Sequence, residues 1–391
     1  MAAAGFAAVA AVVQELLRED EESTLVVVID AFHERRPFAS MFRVHRSVFY
    51  SPAVFSRARL LQLTEAMKGK LIAVYGDIVA DRFIYGTPKR ISREAPVLIL
   101  RQYADDILLG GAGNAIHNIW SLGGLPVPVS VLGSDVAAQK LIEKMCGHGI
   151  DCGGILRAER YATPTKVRIL GGMPHARRQQ IVRYDIEDTF TMSAEEEDQF
   201  RGVLRDAIGM CDAALISDYG YGVVRPQVVS TLTRHAHGKP VTLDSRYELL
   251  DYPGVTAATP NEEEAAAAAG TSLWNGEEEK IGEVALTLQQ GLDSDAVLIT
   301  RGSRGMALLE RDASEPLLIP VYGTDEVADV TGAGDTVIAT FTLALAAQAS
   351  FAEAAKLANY AGGIVVMKMG TATVSNDELA HAIERDEELN E

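Results

Sequence analysis

The sequence predicts an α/β fold: a mostly parallel central sheet with helices on both faces, plus a small β-sheet that projects as a lid. Two observations predict the core and a third predicts the lid. Short, nearly continuous apolar runs (LIAVYGD, VPVSVLG, AALISD, PVTLDS, AVLIT) recur along the chain, as in strands buried on both faces. Between them lie stretches of helical periodicity ending in glycine, among them NAIHNIWSLGG and AAQKLIEKMCGHG, and this alternation marks a parallel sheet. Residues 88–105 and 163–187 break the pattern. They are polar and strand-like (VLILRQY, PTKVRIL, QQIVRYDIE) without a helix signal. They read as lid strands, which a site that must exclude water would need.

The regular alternation begins near residue 67, so a main domain over 67–385 and an accessory segment over 1–66 are expected. That segment has an Ala-rich helical start, a strand-like run at 24–29, and then the basic, aromatic FHERRPFASMFRVHRSVFYSP. It reads either as a packing or oligomerisation element or as a docking arm. The start has no basic n-region and no segment is long and apolar enough to span a bilayer, so a cytoplasmic protein is expected. A formal net charge of -18 argues against nucleic acid or an anionic membrane as partner, since both demand a basic face. It leaves room for phosphate ligands, which backbone amides and a few cations hold locally. The three cysteines, Cys146, Cys152 and Cys211, cannot make a complete disulfide framework, as suits a reducing compartment. MCGHGIDCGG lacks a fourth ligand for zinc and reads as a helix end running into a turn.

In parallel sheets, ligands gather at the carboxyl ends of the strands. Those ends carry Asp77, Asp218, Asp244 and Thr300. The strongest chemical signal is Asp329-Val330-Thr331-Gly332-Ala333-Gly334-Asp335-Thr336, followed by the helical VIATFTLALAAQA. Glycines let the backbone approach a ligand, and the helix start then offers amides and a positive dipole end to an anion. Asp335, where turn becomes helix, is placed to take a proton from an attacking hydroxyl while the amides of Gly332, Ala333 and Gly334 hold phosphoryl oxygens. The plainer alternative is a helix cap. It would not need Gly-Ala-Gly before it or a threonine on each side.

This octet resembles the signature of the ribokinase, or phosphofructokinase-B, family of carbohydrate kinases. Leu109-Gly110-Gly111-Ala112-Gly113-Asn114 looks like the family's amino-terminal GG-x-x-N motif. Within the family, GDIVADRFIYGTPKRISREAP, RRQQIVRYDIED, SDYGYGVV, TPNEEEA, ITRGSRGMALL and KMGTATVS are most similar to bacterial D-glycero-β-D-manno-heptose 7-phosphate kinases. The resemblance implies a ribokinase-like fold and ATP-dependent phosphorylation of the anomeric O1 of that sugar phosphate. It further implies that Asp77, Gly110, Gly111 and Asn114 hold sugar hydroxyls, and that Asn261 and Glu264 organise Mg²⁺ through water. Thr300, Gly302, Gly305 and Thr331 would line the nucleotide, with Asn359 beside the adenine. Taken alone, TPNEEEA reads as an acidic first helical turn. Lys166, Arg168 and Arg183 on the lid strands, and Arg93 in RISREAP, are candidates for a sugar phosphate.

There are departures from that pattern. Tyr221 stands where heptose kinases have the lysine of DYGKG, and Asp244-Ser245-Arg246 stands for Asp-Pro-Lys. Kinases of another sugar, sugar phosphate or nucleoside therefore stay open, as does a catalytically silent sugar-binding member. The nucleotidyltransferase half of bifunctional heptose enzymes is expected to be absent. A homodimer built through lid strands is expected, and any monovalent-cation requirement is left open.

Overall fold

The computed structural model describes residues 55–173, 178–272, 278–323, 329–368 and 370–389. The expected elements before residue 55 lie outside the described residues. The apolar runs become strands of one large sheet: β1 (Leu71–Gly76), β4 (Leu125–Leu132), β5 (Ile155–Arg157), β8 (Ala213–Asp218), β9 (Val241–Ser245), β10 (Ala257–Ala258), β11 (Ala296–Thr300), β12 (Met306–Glu310) and β13 (Leu317–Ile319). Their order is β13-β12-β11-β10-β9-β8-β1-β4-β5. Pairing is parallel from β5 through β11, and β12 and β13 are added antiparallel.

Alternate residues feed two cores, as a pleated strand requires. Ile72, Val74, Leu215 and Leu298 face one apolar cluster. Ala73, Tyr75, Ile216 and Val297 face the other. The first cluster is covered by helices α1 (Arg57–Met67), α2 (Ala112–Ser121), α3 (Val136–Gly147), α8 (Ala333–Ala346), α9 (Phe351–Val365) and α10 (Asn376–Arg385). The second is covered by α4 (Ala194–Met210), α5 (Pro226–His235), α6 (Glu262–Ala268) and α7 (Glu278–Leu292). The expected boundary at residue 66 cuts through α1. Leu60, Leu63 and Met67 of that helix are fully buried in the first cluster, so this end of the accessory segment packs as core.

The lid is a second sheet of four strands, β2 (Ile78–Ile91), β3 (Leu98–Gly111), β6 (Thr165–Gly171) and β7 (Gln179–Ile186), in the order β3-β2-β6-β7. It reaches further into the molecule than 88–105 suggests. β2 starts directly after Asp77, and β3 ends in the Gly110-Gly111 pair that opens α2. The inner part of β2 is buried while its outer part is exposed, so the inner half reads as core and only the outer half shows a lid's polarity. Among the described residues no helix is long and apolar enough to cross a membrane.

Candidate active site

Among the described residues six helices close their amino ends with a capping side chain: Ser56 for α1, Asp135 for α3, Ser193 for α4, Asn261 for α6, Ser350 for α9 and Ser375 for α10. Helix α8 has none. Its N-cap is Gly332 in the left-handed region, φ 79°, so the first-turn amides, which lack intrahelical acceptors, meet no side chain of their own. A Cβ on Gly332 would land on Asn114 Nδ2, so glycine is required by space as well as by conformation.

Asp335 lies in the first turn and is buried. Its carboxylate is not spent on capping. Asn114 Nδ2 donates to Oδ2 at 3.1 Å and to the Gly332 carbonyl at 3.2 Å, and the Tyr219 hydroxyl donates to Oδ1 at 2.8 Å. Burial pushes this carboxyl up to about 7, against the lowering effect of the Asn114 and Tyr219 hydrogen bonds; Asp81 adds to the rise and Lys166 opposes it. The Ala333 amide donates to the Val330 carbonyl at 3.2 Å; a carboxyl raised to near neutrality can take a proton from a hydroxyl while the neighbouring helix-start amides steady negative charge on a phosphoryl group.

The partners of Asp335 are themselves held. Asn118 Nδ2 donates to Asn114 Oδ1 at 3.2 Å. Lys166 Nζ lies 4.9 Å over the Tyr219 ring. Asp77, expected at a sugar hydroxyl, anchors a loop. The amides of Tyr219, Tyr221 and Val223 donate to its two oxygens at 2.8, 3.2 and 3.2 Å. Burial and the charge of Asp218 push it up to about 7 despite those three amides. Asn114, expected at a sugar hydroxyl, is fully buried and hydrogen-bonded to Asp335.

Asp81 escaped the sequence reading. It sits on β2 in register with Lys166, is buried, and pairs with Arg168. A Cβ on Gly110 would collide with its Oδ2, so this glycine lets β3 close on the carboxylate. A carboxylate breaking the apolar run Ile78-Val79-Ala80 was the available signal. Arg168 is thereby neutralised and also lies over Phe83, at 5.2 Å. Lys166 has no ion-pair partner within 4 Å among the described residues. Arg183 pairs with Asp185 on its own strand. Arg93 stands exposed at the β2–β3 hairpin tip, away from this cluster.

The nucleotide candidates divide. Thr300 at the end of β11 bridges to Asn261, bringing two strand ends together. Gly302, φ 56°, has open space around it, whereas a Cβ on Gly305 would strike the Ile319 carbonyl, which makes Gly305 a packing glycine. The Thr331 amide donates to Asp329 Oδ1 at 3.0 Å. Asn359, expected beside the adenine, is buried and donates to the Pro320 carbonyl at 2.6 Å, so it braces the chain after β13.

A sequence model for pfkB family carbohydrate kinases matches residues 70–378. The chain belongs to the pfkB family of carbohydrate kinases. Proteins named Bifunctional protein HldE are among its relatives. That of Mesorhizobium japonicum is 37% identical over 81% of this chain and 62% of its own length, and that of Caulobacter vibrioides is 39% identical over 82% and 65%. The pfkB kinase thus spans less than two thirds of these relatives. Arabidopsis thaliana ribokinase, solved with ribose and ATP, superposes with a TM-score of 0.62 at 18% identity, covering 81% of this chain and 99% of that one. Escherichia coli phosphofructokinase-2, solved with potassium, gives 0.61 at 18% identity, covering 81% and 98%. These likenesses establish a ribokinase-like fold, and membership of the family makes this pfkB kinase a phosphotransferase acting on carbohydrate.

Kinases of this kind use a nucleotide with a divalent ion. Among the described residues no three His, Cys, Asp or Glu side chains converge on a metal position. Asn261 and Glu264 lock each other in a reciprocal capping box, with both hydrogen bonds at 2.9 Å. Burial raises Glu264, and Asp244 is raised well above the carboxylate range by burial and then by Glu264 and Asp335. Crowded oxygen donors of this sort suit a hard cation carried largely by waters and phosphates. The residues fit Mg²⁺ in that role.

Proposed function

We propose that this chain transfers the γ-phosphoryl group of ATP to the anomeric O1 of D-glycero-D-manno-heptose 7-phosphate, giving the 1,7-bisphosphate. The observation that carries the reading is Asp335, buried at an uncapped helix start with both oxygens oriented by Asn114 and Tyr219. In this account Asp335 takes the proton from O1, and the amides of Gly332, Ala333 and Gly334 hold the phosphoryl oxygens. Gly110, Gly111 and Asp81 form the sugar side. Thr300, Gly302 and Thr331 form the nucleotide side. Mg²⁺, reached through water by Asn261 and Glu264, would neutralise charge on the nucleotide phosphates.

A sugar that already bears a phosphate is supported by Lys166. Burial holds its ammonium below the usual lysine range; Asp81 and Asp335 oppose that lowering and Arg246 and Arg183 add to it. A half-buried cation with no ion-pair partner within 4 Å among the described residues is placed to receive an anion. Tyr221 favours a second reading, a kinase of an unphosphorylated sugar. Its hydroxyl donates to Glu187 at 3.1 Å, and the cleft it lines with Asp188, Tyr219 and Tyr247 is aromatic and acidic where relatives have a lysine. An ADP-release screen across heptose, hexose and pentose phosphates and the free sugars separates the two. Lys166→Ala is expected to raise KM for the 7-phosphate by about tenfold, a charge-assisted hydrogen bond being involved. Faster turnover of free heptose than of its 7-phosphate would overturn the first reading.

The titration of Asp335 adds a second test. Because its carboxyl is raised to about 7, the ionised base is lost as pH falls through that value, and kcat/KM should decline on the acid side with a midpoint near it. Tyr219→Phe removes a hydrogen bond to the charged form, so the midpoint should move up by about one pH unit. A profile measured in both proteins checks this, and an unmoved midpoint removes Tyr219 from the base's environment. We also propose a homodimer through the lid, supported by the exposed Leu98, Ile181, Val182 and Tyr184 on β3 and β7. Sedimentation would detect it.

A further inference from the structure

Helix α3 ends at Gly147, and the chain then turns towards β5. Across this turn the Sγ atoms of Cys146 and Cys152 stand 3.8 Å apart. Cys146 is exposed, Cys152 is half-buried, and neither is in a disulfide.

The backbone holds the two sulfurs together. The Gly149 amide, φ 74°, donates to the Cys146 carbonyl at 2.9 Å, and the Ile150 amide donates to the Met145 carbonyl at 3.0 Å. Ile150 is buried in the core. Between the cysteines, the His148 ring packs against Trp120 and His117 of α2, with centroids at 4.1 and 4.8 Å. A disulfide has its sulfurs about 2.05 Å apart, so the two sulfurs have to move closer for a bond to form.

We propose that Cys146 and Cys152 form a reversibly oxidisable dithiol, a modification site separate from the phosphotransfer site. The oxidant class is a peroxide. The Cys146 thiolate attacks one peroxide oxygen, the O–O bond breaks, and hydroxide leaves a sulfenic acid on Cys146. The Cys152 sulfur then displaces the hydroxyl, forming the S–S bond, and its proton leaves with that oxygen as water. Two thiols and one hydrogen peroxide give one disulfide and two waters, the two electrons passing from sulfur to peroxide oxygen. Cys146 is the exposed sulfur and meets the oxidant, while burial, and then the neighbouring Cys146, push the half-buried Cys152 thiol up to about 12 and make it the weaker nucleophile towards the peroxide.

The bond would fasten the end of a helix that touches the lid at two points. Asp135 at the start of α3 accepts the Thr163 amide at 2.8 Å, just before β6, and Lys144 pairs with Asp106 of β3 at 3.2 Å.

The full-length protein is treated with hydrogen peroxide, quenched, denatured, and labelled with a thiol-specific maleimide before mass measurement. Labelled thiols should fall from three to one, leaving Cys211, with loss of two hydrogens and a cross-linked peptide joining the two positions. Dithiothreitol should restore all three. Cys146→Ser and Cys152→Ser should each abolish the cross-link, and Cys152→Ser should leave a sulfenic acid at Cys146 that dimedone traps. Sulfinic acid at Cys146 with Cys152 still labelled, three labelled thiols throughout, or a cross-link between chains would each overturn the proposal.

Discussion

Asp335→Asn is expected to lower kcat by roughly 10²–10⁴-fold while ATP still binds. The carboxyl is buried, and Asn114 and Tyr219 fix its two oxygens. An amide of the same shape keeps the volume and loses the ability to accept a proton. It also turns a donor towards Asn114 or Tyr219, which are donors themselves. Its effect should therefore appear in the chemical step. Coupled ADP release gives kcat, and calorimetric titration with ATP gives binding. Near-normal turnover in this variant would remove Asp335 as the base. Loss of ATP binding along with turnover would mean that the helix start itself had been disturbed.

Gly332→Ala should reduce kcat/KM by about 10²-fold, the scale set by misplacing a catalytic group by about an ångström. Alanine in the left-handed region costs about 1–2 kcal/mol, which a core of this size tolerates. The larger effect is steric. The new methyl would displace Asn114 Nδ2, which donates to both the Gly332 carbonyl and Asp335. Asn114 cannot yield easily, because Asn118 holds its side-chain oxygen. Thermal unfolding should show a folded protein with slightly lowered stability. Full activity in that folded variant would show that Asn114 does not set the position of the base.

The sheet, its flanking helices and the Gly-Ala-Gly turn could be read from the sequence because each depends on spacing within a short segment. Strand ends and glycine stops appear where expected, and the octet ends with Asp335 at the start of α8. What the sequence did not show concerns groups that meet across the fold. Asp77 ends an apolar strand like a ligand-binding aspartate, and its oxygens also accept from amides about 140 residues later in the chain. No local pattern announces that. Tyr219 looked like the second letter of a loop motif, and its hydroxyl reaches Asp335 only because the exit of β8 faces the start of α8. Asn359 lies on a helix with the periodicity of core, and only the position of Pro320 shows what it binds. Asp81 was legible in principle, since a charge inside an apolar strand needs a partner.

The two long strands β2 and β3, each of 14 residues, form a ribbon about 45 Å long with no loop at its root. One rail begins beside Asp77 and passes Asp81, and the other ends at Gly110 and Gly111. Pairing along the ribbon slips only at Tyr85/Gly86 and Pro88/Arg90, beyond Asp81. A load applied at the far tip would bend the arm at those two slips and leave the inner stretch, with Asp81 held by Arg168, as a rigid lever.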